Sequence, residues 1–235
     1  MKIYHFETLA STQDTAKEYL AEARELPFSI HADIQTKGRG RSGHEWVSQH
    51  GNLLTSIVIP LKNSSAKDAG QYSFLTAVAL MDTLADYEVS LAANKWPNDI
   101  LVEGKKIAGI LLESDIDKDG FLNALIIGVG VNLVNAPEGA VCVESLTGDK
   151  ILPSDFLKQF IKQLNTQLVF IEQHGFAPIR KKWLDNAYGI GTIIKVRLPN
   201  ETFQGIFTGL DEEGALLVNV DGHPRKVYSG DVFFG

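Results

Sequence analysis

The spacing of apolar positions predicts a short strand at Ile3 to Phe6. A helix follows that Ser11 or Thr12 can cap, with Ala16, Tyr19, Leu20 and Ala23 recurring at helical spacing. Asp14 completes a weaker, Asp-containing capping box. Phe28 to Gln35 suits a strand, Thr36 to Gly51 is a loop rich in glycine and charge, and Leu53 to Leu61 reads as a buried strand with β-branched residues. A helix rich in Ala, Leu and Val runs from about Ala66 to Tyr87, and Leu91 to Trp96 resumes as a strand that Pro97 stops. Ile100 to Val102 and Ile107 to Leu112 make a hairpin around Glu103-Gly104-Lys105, and Phe121 to Leu133 is a further strand, after which the central sheet ends. Pro153 to His174 predicts a long helix with Phe156, Phe160, Ile161, Leu164 and Leu168 on one face, and Phe176 to Tyr188 predicts another. After Gly189 the pattern changes. Residues 190 to 235 read as four or five short strands, such as Thr192 to Leu198 and Leu216 to Val220, separated by Pro-Asn, Asp-Glu-Glu-Gly and Asp-Gly-His-Pro turns. The expectation is an α+β domain over residues 1–188, a mixed sheet with flanking helices, followed by a small β-barrel over 189–235.

Composition narrows the function. With 235 residues and 44% hydrophobic content the chain can bury a full core. Its net charge of -7 argues against a surface that grips phosphate backbones, so no nucleic-acid partner is expected. The single cysteine, Cys142, excludes an intrachain disulfide framework and a cysteine-rich zinc site. The aliphatic runs fall short of a membrane span and MKIYHFETLASTQD lacks the layout of a signal peptide, so the expected location is cytoplasmic, with no membrane partner.

Three clusters carry candidate chemistry. In Lys37-Gly38-Arg39-Gly40-Arg41-Ser42-Gly43 the glycines let backbone N–H groups approach an anion while two guanidinium forks bind its oxygens; the same run also fits a solvated turn. Trp46, just downstream, offers an aromatic face to a purine, a wall to an apolar ligand, or a core side chain. In Lys95-Trp96-Pro97-Asn98-Asp99 a strand end presents a cation, an amide and a carboxylate, which makes Asp99 the best magnesium candidate, although Asn-Asp after proline is also a turn sequence. In Gly104 to Glu113, strict alternation puts Lys106, Ala108 and Ile110 on one face and leaves Gly109 free for close backbone approach. Lys106 then either reaches solvent or meets an anion supplied by a ligand. Gly128-Val129-Gly130-Val131-Asn132 clears space in a strand or packs it tightly, and Asn132 ends it with a hydrogen-bonding amide.

In order and spacing, Ser11-Thr12-Gln13, Gln35 leading into GRGRSGHEW, KWPND, GKKIAGILLES and GVGVNL resemble the catalytic domain of biotin–protein ligases. The resemblance covers essentially the whole chain, since that family also carries a small SH3-like β-barrel at its C-terminus. It implies a class II aminoacyl-tRNA synthetase-like fold and ATP-dependent formation of biotinyl-5'-adenylate. The acyl group would then pass to a lysine of a biotin carboxyl carrier protein. Carried over by position, Ser11, Thr12, Gln13, Gln35, Gly38, Arg39, Gly40, Arg41, Lys106 and Gly109 would hold biotin. Arg41, His44, Trp46, Lys95, Asn98, Asp99 and Asn132 would contact ATP, with Asp99 on Mg2+, and Lys106 and Arg41 would carry catalysis by neutralising the anions that must meet. His44 stands where the family usually has an arginine. The Ser-Thr motif begins at residue 11, so the expectation is a ligase without a DNA-binding domain. Monomer and homodimer both stay open, since edge strands of the sheet could pair across a twofold axis. Competing readings are a lipoate ligase, an octanoyltransferase, which would need Cys142 as nucleophile, and a noncatalytic ligand sensor.

Overall fold

The computed structural model of the chain describes residues 1–61, 66–116, 118 and 121–234, the side chains of residues 42, 66 and 67 excepted. In chain order the elements are β1 (Lys2–Leu9), α1 (Thr12–Ala21), β2 (Phe28–Gln35), β3 (Leu53–Pro60), α2 (Gln71–Asp86), β4 (Ala92–Lys95), β5 (Asp99–Val102), β6 (Lys105–Ile116), β7 (Leu122–Val131), α3 (Val143–Thr147), α4 (Pro153–His174) and α5 (Phe176–Asp185). Seven strands form one sheet in the order β1-β2-β3-β7-β6-β5-β4. Only β1 and β2 run parallel, because α1 carries the chain back between them; every other pair is antiparallel.

The central strands bury both faces, and alternation decides what each face meets. On one side Phe28, Ile30, Val58, Ala124 and Ile126 pack under Ala16 of α1. On the other, Ile57, Leu125 and Ile127 pack with α2, α4 and α5, and each such side chain contributes about 1.5–3 kcal/mol by leaving water. Ser11 caps α1, its Oγ accepting from the Asp14 backbone N–H at 3.4 Å. The β5–β6 hairpin turns through Glu103 (φ 51°) and Gly104 (φ 77°), both left-handed, as a tight two-residue turn demands.

Several boundaries differ from expectation. The helix expected from about Ala66 is a 3-10 turn over Ala66–Gly70 before α2 begins. β6 runs on to Ile116 because Glu113 to Ile116 find ladder partners on β7. The short α3 is below the length at which periodicity shows.

The C-terminal strands, β8 (Ile193–Arg197), β9 (Thr202–Leu210), β10 (Leu216–Val220), β11 (His223–Val227) and β12 (Asp231–Phe234), form an antiparallel sheet in the order β11-β10-β9-β8-β12. The ladder does not close into a barrel among the described residues, and Gly235, the last residue of the expected module, lies outside them. The sheet has no need of a closed core of its own. Ile194, Val196, Phe207, Leu216 and Val218 join the same buried cluster as α2 and α5, and the Trp96 indole N–H donates to the Gly214 carbonyl at 3.2 Å.

Candidate active site

On the α1 side of the sheet, β7 changes from Ala124 and Ile126 to Gly128 and Gly130, and the register sets Gly109 of β6 directly opposite Gly130. The absence of side chains there opens a trough at the N-terminus of α1, the floor of a cavity of about 290 Å3. Trp46 lies in it. A Cβ on Gly130 would come within 2.3 Å of the Trp46 ring, and one on Gly109 within 3.0 Å of both that ring and Lys106 Nζ. The indole N–H is buried without a hydrogen-bond partner.

At one end of the trough the start of α1 meets β2 and β3 in a buried polar network. Gln35 Oε1 accepts from the Thr12 backbone N–H at 2.7 Å and from Thr12 Oγ1 at 3.0 Å. Thr12 Oγ1 lies 2.9 Å from Ser56 Oγ, which donates to Gln13 Oε1 at 2.7 Å. Gln13 can pack this way only because Gly128 lacks a Cβ, which would stand 2.8 Å from Gln13 Oε1. Burial makes every member of such a network costly to leave unpaired, so the geometry is held fixed.

The other end is cationic. The glycine-rich loop folds as a small hairpin, with Arg39 bridged to Glu45 and the Trp46 N–H donating to the Gly38 carbonyl at 3.0 Å, which brings Trp46 back over the sheet. Arg41 donates to Asn98 Oδ1 at 3.3 Å, and the Asn98 amide donates to the Ile110 carbonyl at 2.5 Å. Burial lowers the Arg41 pKa, and the carboxylates of Asp231 and Asp99 oppose that effect, so the guanidinium stays charged in a partly desolvated place. Lys106 pairs with Asp99 at 2.6 Å and sits 5.2 Å from the Trp46 ring centre. Its position corrects the expected alternation. The β5–β6 register shifts so that Leu101 faces Lys106 while Ile100 faces Ala108. Ile107 is thus an extra residue, a bulge that turns Lys106 to the Gly109 side and leaves Ala108 and Ile110 in the core.

Of the residues singled out in the sequence, Ser11, Thr12, Gln13, Gln35, Arg39, Gly40, Arg41, His44, Trp46, Lys95, Asn98, Asp99, Lys106 and Gly109 line this one cavity. Arg39 reaches outward at its rim, pairing with Asp14 at 2.5 Å. Two do not line it. Gly38 lies against the Trp46 backbone and the Gln35 side chain. Asn132 is buried beside the cavity, its amide donating to the Lys106 and Val141 carbonyls at 3.4 and 3.2 Å, so in this structure it holds the Lys106 backbone. The cavity also includes residues that motif reading passed over: Thr55 and Ser56 of β3, and Arg197, Asp231, Val232 and Phe233 of the C-terminal sheet. Thr55, Ser56 and Arg197 fall in stretches read as strands, and nothing local marked that these strands, or the chain end at Asp231 to Phe233, would face the cavity.

Residues 5–132 match the biotin/lipoate A/B protein ligase family, and residues 189–235 match the biotin protein ligase C terminal domain. The chain belongs to the biotin/lipoate A/B protein ligase family. It is 37% identical to the biotin–[acetyl-CoA-carboxylase] ligase of Paracoccus denitrificans, over 97% of this chain and 99% of that one. It is 34% identical to the bifunctional ligase/repressor of Bacillus subtilis, over 99% of this chain and 74% of that one. The solved biotin protein ligase from Aquifex aeolicus in complex with biotin and ATP superposes with a TM-score of 0.85 at 26% identity, covering 99% of this chain and 97% of that one.

In this ligase Cys142 is buried and away from the cavity, with its thiol 3.2 Å from the Val134 carbonyl, so the cysteine nucleophile that an octanoyltransferase needs is missing from the site. The C-terminal sheet is a wall of the cavity and not merely a cap. Arg197 donates to Asp231 at 3.1 Å, and Asp231 in turn faces Arg41 electrostatically. Asp231→Asn is expected to raise the KM for ATP about fivefold, the scale of ~1 kcal/mol for a partly exposed charge contact. The thermal midpoint should stay unchanged, and an unaltered KM with a normal melting curve would remove this link.

Proposed function

We infer that the cavity binds biotin and ATP together, joins them as biotinyl-5'-AMP with release of pyrophosphate, and passes the biotinyl group to a lysine of a biotin carboxyl carrier protein or domain. The observation that carries this reading is one trough with a buried hydrogen-bonding network at one end and Arg41, Lys95 and Lys106 at the other. Ser11, Thr12, Gln13 and Gln35, through oxygens and amides held in place by one another, hold the ureido head. The acyl chain lies along the floor by Gly109, Gly128 and Gly130. That directs the carboxylate toward Lys106 and Arg41, where the attack on the α-phosphate brings two anions together. Fixed cations in a place of lowered dielectric offset that repulsion without reorganising. Arg39 and Gly40 order the loop over the ligand, while Trp46 and His44 contact the nucleotide and Lys95 and Asn98 its phosphates. Asn132 supports Lys106 from below.

Mg2+ fits at Asp99, since a hard cation needs only one or two carboxylates once phosphate oxygens join it, and Asp99 presents its carboxylate to the cavity. Bound there, the ion would neutralise phosphate charge. Asp99 would exchange its contact with Lys106 for the ion and so free the ammonium for the reacting groups.

Among the described residues no helix is long and apolar enough to cross a membrane. A reaction fuelled by ATP supports a cytoplasmic location, and the acidic net charge supports a protein acceptor over a nucleic acid. Residues 1–188 form the catalytic unit in this reading, and 189–235 complete its wall. If a homodimer forms by edge pairing, β1 is the edge it extends, because residues 186–188 already bridge to β4.

The test is exchange of labelled pyrophosphate into ATP. Exchange is expected with biotin and not with lipoate or octanoate. Exchange driven by lipoate would change the substrate assignment, and none at all from folded protein would point to a ligand sensor.

A further inference from the structure

We propose that His5, His31 and Asp33 form a binding site for a divalent transition-metal ion of the zinc class at the β1 edge of the main sheet, apart from the cavity. None of the three lines the cavity. His5 and His31 are register partners across the parallel β1–β2 pair, their rings stacked with centres 5.2 Å apart, and Asp33 follows His31 by two residues on the same face. One ligand atom from each side chain lies within 4.8 Å of the other two, and His5 Nε2 is 2.9 Å from Asp33 Oδ1. Ligand atoms around a tetrahedral zinc stand about 3.3 Å apart when metal–nitrogen distances are about 2.0–2.1 Å, so only side-chain adjustment is needed.

His31 supplies the strongest sign of a built ligand. It is 4% exposed, and its Nδ1 lies 3.0 Å from the Leu54 carbonyl oxygen. A carbonyl can only accept, so Nδ1 carries the proton and Nε2 presents its lone pair. Metal-binding histidines are held in this manner, with the second ring nitrogen donating to a carbonyl that fixes tautomer and ring orientation. Two imidazoles and one carboxylate suit zinc, cobalt or nickel rather than magnesium, and they leave a fourth position to water. Entry of the ion takes the place of the His5–Asp33 contact and clamps the outermost strand to its neighbour.

The 235-residue chain, stripped with chelator, is titrated with Zn2+ against a chromophoric zinc indicator and with Co2+ by its visible absorption. One ion per chain is expected, with a rise in the thermal midpoint. Both should be lost in His5→Ala and in Asp33→Asn, whose side chains are partly exposed, and kept in Asp99→Asn, which separates this site from the proposed magnesium position. Biotin-dependent pyrophosphate exchange should be unchanged in His5→Ala. Failure of the unsubstituted chain to bind Zn2+ at tens of micromolar, or a stoichiometry that His5→Ala leaves intact, overturns the proposal.

Discussion

Lys106→Ala should lower biotin-dependent pyrophosphate exchange by roughly 10²–10³-fold, the cost of removing one preorganised charge stabiliser from a reacting centre. Lys106 Nζ stands where the trough floor, Trp46 and Asp99 converge, and its backbone is anchored from both sides. The Lys106 carbonyl accepts from the Val141 N–H at 3.0 Å and from Asn132 Nδ2, while the bulge at Ile107 keeps its side chain on the cavity side. The loss should fall mainly on kcat, because the contact grows as the carboxylate and the α-phosphate approach one another. The fold should survive. The Lys106 side chain is 38% exposed and Asp99 also reaches the cavity, so both groups stay hydrated and truncation removes little stability. Exchange retained within tenfold in a folded variant would assign the charge-stabilising role to another group, with Arg41 next in line.

Gly130→Ala should cut the same exchange by more than tenfold through a single methyl group. That methyl would stand 2.3 and 2.4 Å from two carbons of the Trp46 ring, well inside contact distance, so the indole must lift from the floor. Overpacking of this kind costs about 1–3 kcal/mol, and a displacement near 1 Å at a reacting centre can cost about 10²-fold. Gly130 is in extended backbone within β7, where alanine meets no conformational penalty, so the overpacking alone should lower the melting temperature, by about 2–4 °C per kcal/mol, and the fold should survive as activity falls. Tryptophan emission gives an independent reading, since Trp46 would leave a half-buried position in which its indole N–H is buried without a partner. A variant with normal exchange and unaltered emission would show that the floor has slack that these contacts do not suggest.

Much of the site was legible in the motifs because the chemistry lies in short runs. GRGRSG, KWPND and GKKIAG each keep their functional groups within a few residues, and local chain geometry delivers them together to one cavity. Asn132 shows the limit of that reading. Its motif pointed to the ligand, but the chain after β7 turns its amide down to the Lys106 and Val141 carbonyls. Ser56 and Asp231 show the converse. Ser56 is one serine within a buried strand, and Asp231 one acidic residue after a turn; both reach the cavity through partners distant in the sequence, Gln13 for the first and Arg197 for the second.

By itself the sequence determined most of the elements and the chemical inventory. Period-two and helical spacing are local properties, as are the Glu103-Gly104 turn, the Ser11 cap and the glycines that leave Gly128 and Gly130 without side chains. The tertiary structure decided which of these groups meet. Strand order sets Gly109 across from Gly130, the bulge at Ile107 carries Lys106 to the cavity side, and the C-terminal sheet becomes a wall by burying Val196, Phe207 and Val218 in the main core instead of closing on itself. These outcomes depend on register and on the burial of apolar surface between segments far apart in the chain. A shift of one residue in a ladder moves a side chain to the opposite face, and no local pattern records which register gives the best-packed core.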